Sequence, residues 1–200
     1  MLKLLHLFFV FAQDHGVLHD CFLVGGAVRD ILLGRGFSDC DIVVCHDAEH
    51  IAQAFCSSIN GRFIMLDPAF GMMRITYAGQ YIDICRMQGN ALHDDLRKRD
   101  LTINAMALPL AALYEQNPHA KIIDPCNGKD DIFHKRIRMI SAENFIHDPL
   151  RMLRAYRFAL QLRFSLDPQT SETIRMHAHL LTYAAIERII SELRIILAST

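Results

Sequence analysis

The chain has 200 residues, of which 52% are hydrophobic and 22% are charged, and its formal net charge at pH 7 is −1. These values are typical of a globular protein that buries a sizeable core. A charge this close to zero excludes an overall basic surface for nucleic acid or membrane, so any such surface must be a local basic patch. The six cysteines have no C-x-x-C spacing, which disfavours a zinc site and indicates reduced thiols in a cytoplasmic protein.

The first twelve residues are apolar, and we interpret them as a helix packed on the domain. Lys3 is their only basic residue and His6 interrupts the run, which disfavours a signal peptide. Twelve residues are also too few to span a bilayer, so no membrane partner is expected. Next along the chain, residues 21–25 predict a short strand that ends in a Gly-Gly turn, and residues 27–33 predict a helix.

Further elements are predicted from alternation, helical periodicity and turn residues. Strands are predicted at residues 40–45, 62–66, 72–77 and 80–86, a strand followed by a turn at residues 122–128, and helices at residues 48–58, 102–113 and from 149 onward. Asp148 or His147 would cap the helix that begins at Pro149. Strands interleaved with helices indicate an α/β or α+β domain. The change to helices alone predicts a boundary that divides the chain into residues 1–140 and 141–200.

Two aspartates, Asp39 and Asp41, open the strand predicted at residues 40–45. Residues i and i+2 of a strand point to the same face, so both carboxylates can reach one point. Two carboxylates that close repel each other unless a cation lies between them, and Mg²⁺ prefers such oxygen ligands. Asp83 holds the polar position of a neighbouring apolar strand. It could supply a third carboxylate or be an exposed strand residue.

The Gly-Gly turn at Gly25 and Gly26 follows a strand and begins a helix. Glycines let the backbone approach a phosphate closely, and the N–H groups at a helix start favour anions. Arg29 could add a charge-assisted contact to a phosphate or ribose. Most Gly-Gly turns are structural, but the position of this one shortly before Asp39 favours a binding role.

Three arginines, Arg151, Arg154 and Arg157, recur at helical spacing after Pro149 and share one side of the predicted helix. Three arginines on one side repel one another unless an anion such as a triphosphate neutralises them. The alternative interpretation is a basic face that only contacts solvent. Asp148 and Arg151 are close enough to present an acceptor and a donor fork to a base. An adjoining apolar stripe is predicted at Leu153, Tyr156, Leu160 and Phe164.

Five segments resemble, in order, the motifs of class II tRNA nucleotidyltransferases and bacterial poly(A) polymerases. They read LVGGAVRDILLGRGFSDCDIVV at 23–44, DLRKRDLTINAMA at 95–107, DPCNGKDDIFHKRIR at 124–138, HDPLRMLRAYRFALQL at 147–162 and ERIISELRIIL at 187–197. The resemblance implies an α+β fold: a polymerase-β-type nucleotidyltransferase head, a mixed sheet with helices, followed by an all-helical neck. It also implies template-independent addition of nucleotides to an RNA 3′ end.

The resemblance implies a role for each matched position. Asp39 and Asp41 would be catalytic and hold Mg²⁺. Nucleotide contacts would come from Gly25, Gly26, Arg29, Arg99, Asp100, Asn104, Asp148, Arg151, Arg154 and Arg157. In this set Arg99, Asp100 and Asn104 would bind the triphosphate and ribose. Asp148 and Arg151 would read the base, and the last two arginines would hold the phosphates. The expected partners are ATP and/or CTP and an RNA 3′ end, with tRNA as the expected RNA.

The chain departs from the family in two places. His147 stands where the family usually has Glu, so base selection is expected to be altered or pH-sensitive. The family also continues past the fifth motif into helical body and tail segments, so RNA binding by this chain is expected to be weak and salt-sensitive. Three interpretations stay open: C and A addition to tRNA, A-only or poly(A) addition, and a nucleotide- or RNA-binding module with little turnover.

Overall fold

The structure, a computed structural model, describes residues 3–37 and 39–198. Met1, Leu2, Ser38, Ser199 and Thr200 lie outside the described residues. The chain divides into two compact units. The first unit runs up to Leu96 and includes Met106–Asp124, and the second comprises Arg97–Ala105 and the chain from Pro125 onward.

A mixed β-sheet forms the centre of the first unit, with the strand order β3-β4-β5-β2-β1-β6 over the described residues. Its strands are β1 (Cys21–Val24), β2 (Asp41–Val44), β3 (Arg62–Asp67), β4 (Met72–Tyr77), β5 (Gln80–Arg86) and β6 (Ala107–Pro109). β2 and β5 run parallel, while the other neighbouring strands are antiparallel. The parallel pair positions the site, because it places Asp41 directly beside Asp83.

Apolar helices complete the core of this unit. The helices are α1 (Lys3–Asp14), α2 (Gly26–Leu32), α3 (Ala48–Ser58) and, at the unit's end, α4 (Leu92–Arg97). Helix α1 buries the stripe that its periodicity predicts, and the Phe8 ring meets the Phe55 ring of α3 edge-on at a centroid distance of 5.0 Å. The predicted N-terminal helix is therefore confirmed from Lys3 onward.

The second unit is mostly helical. It contains α5 (Gly128–Phe133), β7 (Arg136–Ile137), α6 (Ala142–His147), α7 (Leu150–Leu162), β8 (Ser165–Leu166), α8 (Pro168–His177) and α9 (Ile186–Ala198). Asp131, which is fully buried, accepts hydrogen bonds from Thr102 at 2.6 Å, Arg136 at 2.6 Å and Arg138 at 2.8 Å. This carboxylate joins the two parts of the chain that build the unit. It also balances the charges of Arg136 and Arg138.

Several predicted elements differ from the structure. Residues 102–113 are not one helix, because Ala107–Pro109 adds an edge strand to the sheet between two short 3-10 turns, Thr102–Asn104 and Leu110–Tyr114. Proline at the edge strand cannot continue an α-helix. The predicted strand at 122–128 is reduced to a single bridge between Ile123 and Ala107. The part from 149 onward is not only helical, because β8 pairs with β7.

Residues 97–105 and 125–140 group with the helical segment. The head and neck division at residues 140 and 141 stays a prediction. Over the described residues, every helix is too short or too polar to cross a membrane.

Candidate active site

One face of the sheet in the first unit carries the acidic pair. Across β4, β5 and β2, Arg74 is in register with Asp83, and Asp83 with Asp41. Residues in register share a face, so these three side chains form a row. Tyr81 lies two residues before Asp83 in β5 and therefore shares its face, and the Tyr81 hydroxyl contacts Asp39, which precedes β2.

The Asp39 carboxylate is exposed and lies just before β2. The Tyr81 hydroxyl donates a hydrogen bond to its Oδ1. This bond, followed by partial burial, raises the pKa of Tyr81 above its ordinary value. A residue of the neighbouring strand thus holds the first aspartate of the pair.

Asp83 is committed to Arg74. The guanidinium donates from Nε at 2.7 Å and from Nη2 at 2.8 Å to the two oxygens of the carboxylate, and it lies 4.0 Å above the centre of the Tyr81 ring. Within residues 3–37 and 39–198, no three His, Cys, Asp or Glu side chains are grouped so that they could hold a metal ion. The geometry therefore gives no support to Asp83 as a third metal ligand.

The Gly-Gly turn lies at the same end of the sheet as Asp41, because Val24, which precedes it, is in register with Asp41. Gly25 has φ +71° and ψ −136°, a conformation open to glycine, and its N–H donates to the Met106 carbonyl at 3.3 Å. A Cβ on Gly26 would lie 3.4 Å from Nη2 of Arg29. The turn and the acidic pair are thus brought together.

Arg29 is nearly buried, with 8% of its surface exposed. It donates to the Asp30 carboxylate from Nε at 2.9 Å and from Nη2 at 3.0 Å. Its charge is therefore matched within the chain, and its predicted contact to a nucleotide stays a prediction.

In the second unit, Asp100 is the centre of a buried polar network. Its Oδ2 accepts from Nε of Arg154 at 2.7 Å, and its Oδ1 accepts from the Leu101 N–H at 2.8 Å and from Asn104 Nδ2 at 3.3 Å. Burial alone would raise the pKa of Asp100, but the charge and hydrogen bond of Arg154, with the two other donors, lower it overall. The structure thus brings Asp100, Asn104 and Arg154 together.

The other two arginines of α7 also have partners in their own unit. Nε of Arg157 lies 2.7 Å from Oε2 of Glu192 in α9. Both atoms are buried and neither makes a well-angled hydrogen bond within the described residues, so the attraction is mainly between charges. Arg151 donates to the Lys98 carbonyl at 2.7 Å, and its Nε lies 3.8 Å from the Asp148 carboxylate.

These pairs alter two expectations. Carboxylates of the chain lie beside the three arginines and balance part of their charge. The predicted apolar stripe is wrong at Tyr156 and Leu160, which are each 41% exposed. Helix α7 is turned so that the arginines reach Asp100 and Glu192. Its buried residues are Leu150, Met152, Ala155, Phe158 and Leu162.

Asp148 and Arg151 lie close together, as their spacing predicts, but neither Asp148 nor His147 caps α7 through a side chain. Instead, the Asp148 carboxylate accepts from Nη2 of Arg188 in α9 at 3.2 Å. Arg99 is half-buried, and its carbonyl accepts from Asn144 Nδ2 at 2.7 Å. The segment at 97–99 is therefore anchored through its backbone.

Residues 21–138 match the sequence model of the poly A polymerase head domain. The chain belongs to the poly A polymerase head domain family. Residues 163–200 match a second family, described as the probable RNA- and SrmB-binding site of polymerase A. The first match includes both the acidic pair and the Gly-Gly turn.

Relatives of this head-domain family member differ in the nucleotides they add. A CC-adding tRNA nucleotidyltransferase of Synechocystis sp. is 41% identical over 88% of this chain and 41% of its own length. An A-adding tRNA nucleotidyltransferase of Deinococcus radiodurans is 37% identical over 88% of this chain and 40% of its own length. The chain spans less than half the length of these relatives.

A solved structure shares the fold. The Thermotoga maritima CCA-adding enzyme, complexed with tRNA_CCA, superposes with a TM-score of 0.83 and 30% identity over 98% of this chain and 46% of that one. This similarity confirms the α+β fold that the motifs implied for the head domain.

The sequence alone did not identify three residues that contact the predicted site residues: Arg74, Tyr81 and Glu192. The signal for Tyr81 was its position two residues before Asp83, on the same face of a strand. The roles of Arg74 and Glu192 depend on strand register and helix packing, which cannot be inferred from the local sequence. His147 is exposed at the end of α6.

Proposed function

We propose that this chain is the catalytic portion of a template-independent RNA nucleotidyltransferase that adds C and/or A to tRNA 3′ ends. The observation that carries the proposal is the acidic pair, Asp39 and Asp41, beside a Gly-Gly turn at one end of the sheet, in a chain of the poly A polymerase head domain family. A cytoplasmic location is part of the proposal, because immature tRNA is the substrate.

Mg²⁺ is the proposed cofactor, and the residues fit it. Asp39 and Asp41 offer hard oxygen donors from one face of the chain, and Mg²⁺ is commonly held by one or two carboxylates together with substrate phosphates. When bound, two such ions would stabilise the attacking 3′ oxygen and the leaving pyrophosphate. The 3′ oxygen of RNA bonds to the α-phosphorus, the bond from that phosphorus to the β-phosphate breaks, and pyrophosphate leaves as the hydroxyl proton passes to water.

Each unit, taken by itself, offers residues for the proposed nucleotide contacts. Gly25 and Gly26 allow the backbone to approach a phosphate, and Arg29 lies next to them. In the second unit, Asp148 and Arg151 offer an acceptor and a donor fork to a base edge. Ribose and triphosphate contacts are proposed for Arg99, Asp100 and Asn104, and phosphate contacts for Arg154 and Arg157.

Two alternatives each have a supporting observation. A-only or poly(A) addition is supported by the A-adding relative, which matches 88% of this chain, the same share as the CC-adding relative. A binding module with little turnover is supported by the pairing of Arg154 with Asp100 and of Arg157 with Glu192, because an incoming phosphate would have to compete with these carboxylates.

The test incubates the chain, and any longer natural form of it, with Mg²⁺, labelled CTP or ATP, and tRNA that ends before C, after CC, or after CCA. Incorporation of C, or of C and then A, supports the proposal. A on CC ends alone or long A tracts support the first alternative. No incorporation by either form supports the binding module, which a nucleotide-binding titration would then reveal.

The control variants are Asp39→Asn and Asp41→Asn, compared with Asp14→Asn at an exposed aspartate of α1. The first two should lose incorporation and the third should keep it. Incorporation that survives in Asp41→Asn would contradict the proposed metal site.

A further inference from the structure

Asp39 precedes β2, so the ladder of the strand does not fix its side chain. The Tyr81 hydroxyl on β5 donates a hydrogen bond to Oδ1 of Asp39. Tyr81 in turn lies under the guanidinium of Arg74, which grips Asp83 through two nitrogens. The four side chains therefore form one continuous series of contacts that ends beside Asp41.

We propose that Tyr81 and Arg74 are positioning residues for the acidic pair. Tyr81 orients the Asp39 carboxylate toward the divalent cation, and Arg74 fixes the Tyr81 ring while keeping the charge of Asp83 from adding to that of Asp41. The proposal deepens the proposed function and rests on it.

The group that Tyr81 offers to Asp39 is a phenol hydroxyl. A phenol donates one hydrogen bond without adding charge, so it orients a carboxylate and leaves its charge available for a cation. A lysine or arginine at this position would compete with the metal. The rigid ring, held between its strand and Arg74, loses little freedom in making the bond.

Strand register places Arg74 next to Asp83 and Asp83 next to Asp41. Asp83 and Asp41 lie directly side by side on parallel strands, and like charges that are directly opposed destabilise a sheet. Arg74, in register on the other side of Asp83, balances that charge with a two-nitrogen fork. Asp83 thereby supports the site as a structural residue.

The experiment measures Mn²⁺ affinity by titration calorimetry with a saturating nonhydrolysable CTP analogue, and in parallel the Mn²⁺ concentration for half-maximal incorporation. The variants are Tyr81→Phe, Arg74→Met, Asp83→Asn and the double variant Arg74→Met/Asp83→Asn. Tyr77→Phe, on the neighbouring strand β4, is the matched control. Thermal melting of every variant without metal separates folding from metal binding.

Tyr81→Phe should weaken Mn²⁺ binding about fivefold, the effect of losing one hydrogen bond, while kcat at saturating Mn²⁺ stays within about twofold. Tyr77→Phe should match the wild type. Arg74→Met should lower the melting temperature without metal and strengthen Mn²⁺ binding about threefold, because the unbalanced carboxylate of Asp83 repels Asp41 and attracts the cation, and the double variant should reverse both changes. Asp83→Asn alone should change the affinity less than about threefold.

Two results would overturn the positioning roles: wild-type Mn²⁺ affinity in Tyr81→Phe, or loss of binding in Asp83→Asn as complete as in Asp41→Asn, which would make Asp83 a ligand. The proposed function fails in a different way. If Asp41→Asn retains both Mn²⁺ binding and incorporation, the metal site itself is wrong. If Asp41→Asn abolishes both while Tyr81→Phe alters neither, only the positioning roles are wrong.

Discussion

In the first unit, strand register places the short side chain of Asp41, whereas in the second unit long arginines reach their positions through ion pairs with distant carboxylates. Asp41 is fixed by pairing with Val24 on one side and Asp83 on the other. Arg154 and Arg157 depend instead on Asp100 and Glu192. The backbone sets one arrangement, and side-chain charges set the other.

Because of this difference, substitutions in the first unit's acidic pair and in the second unit's arginine pairs should affect different properties, the reaction in one case and the stability of the fold in the other. A substitution in the acidic pair leaves the backbone ladder intact, so it should change the reaction and leave the fold alone. A substitution among the arginine pairs leaves a buried charge without its partner, so it should cost stability first. If these arginines bind phosphate, the phosphate would have to displace the carboxylates of Asp100 and Glu192 from them.

The largest effect is expected for Asp41→Asn. Incorporation should fall about a thousandfold, equivalent to about 4 kcal/mol in activation free energy, because a neutral amide is a poor ligand for a hard cation. The unfolding free energy in urea should stay within about 0.5 kcal/mol of the wild type. A loss of stability as large as the loss of activity would show that the sheet does not fix this site independently.

The next effect is expected for Arg157→Met. Only 11% of the Glu192 side chain is exposed, so losing its partner should cost about 3 kcal/mol of unfolding free energy. Arg157→Met/Glu192→Met, which replaces both charges by apolar groups of similar length, should lie within about 1 kcal/mol of the wild type. Urea denaturation of the three proteins measures the difference. A double variant as unstable as the single one would mean that packing, and not charge, holds α7 and α9 together.

The predictability of the molecule follows the same division. The bounds of α3, β4 and β5 were predicted to the residue, because amphipathic periodicity and turn residues are local signals. The Gly-Gly turn and the acidic pair were identified for the same reason, since each lies within a few residues of a strand end. Their roles in nucleotide and metal binding are not tested by the fold.

What the sequence could not supply is the identity of distant partners. Glu192 lies 35 positions after Arg157, and Asp100 lies 54 before Arg154, so no periodicity links them. The same gap explains the incorrect stripe at Tyr156 and Leu160, because ion pairs to other elements decide which side of α7 is buried. The short strand at Ala107–Pro109 was missed because its pairing partner is β1, far earlier in the chain.

A smaller loss of unfolding free energy is expected for Asp100→Asn. Asn can still accept the hydrogen bonds of Leu101 and Asn104, but Arg154 loses its ion pair. Because 36% of the Arg154 side chain is exposed, water offsets part of the loss, and the cost should be about 2 kcal/mol of unfolding free energy. Asp130→Asn, at a side chain that is 57% exposed, is the matched control and should change the unfolding free energy by less than about 0.5 kcal/mol. Equal losses in the two variants would contradict the special position of Asp100.

The smallest effect should appear as a dependence on pH. The folded protein holds the pKa of Asp100 below its ordinary value, so the unfolded chain binds the proton first. The stability from this group is fully present above about pH 4, the ordinary range for an aspartate, and is lost as the pH falls through the lowered pKa. The difference in unfolding free energy between the wild type and Asp100→Asn should therefore be constant from pH 7 to about pH 5 and shrink toward pH 3. Urea denaturation at each pH measures it. A difference that grows on acidification would mean that Asp100 is not held in its charged form by Arg154, and the second unit would then owe its stability to something other than these ion pairs.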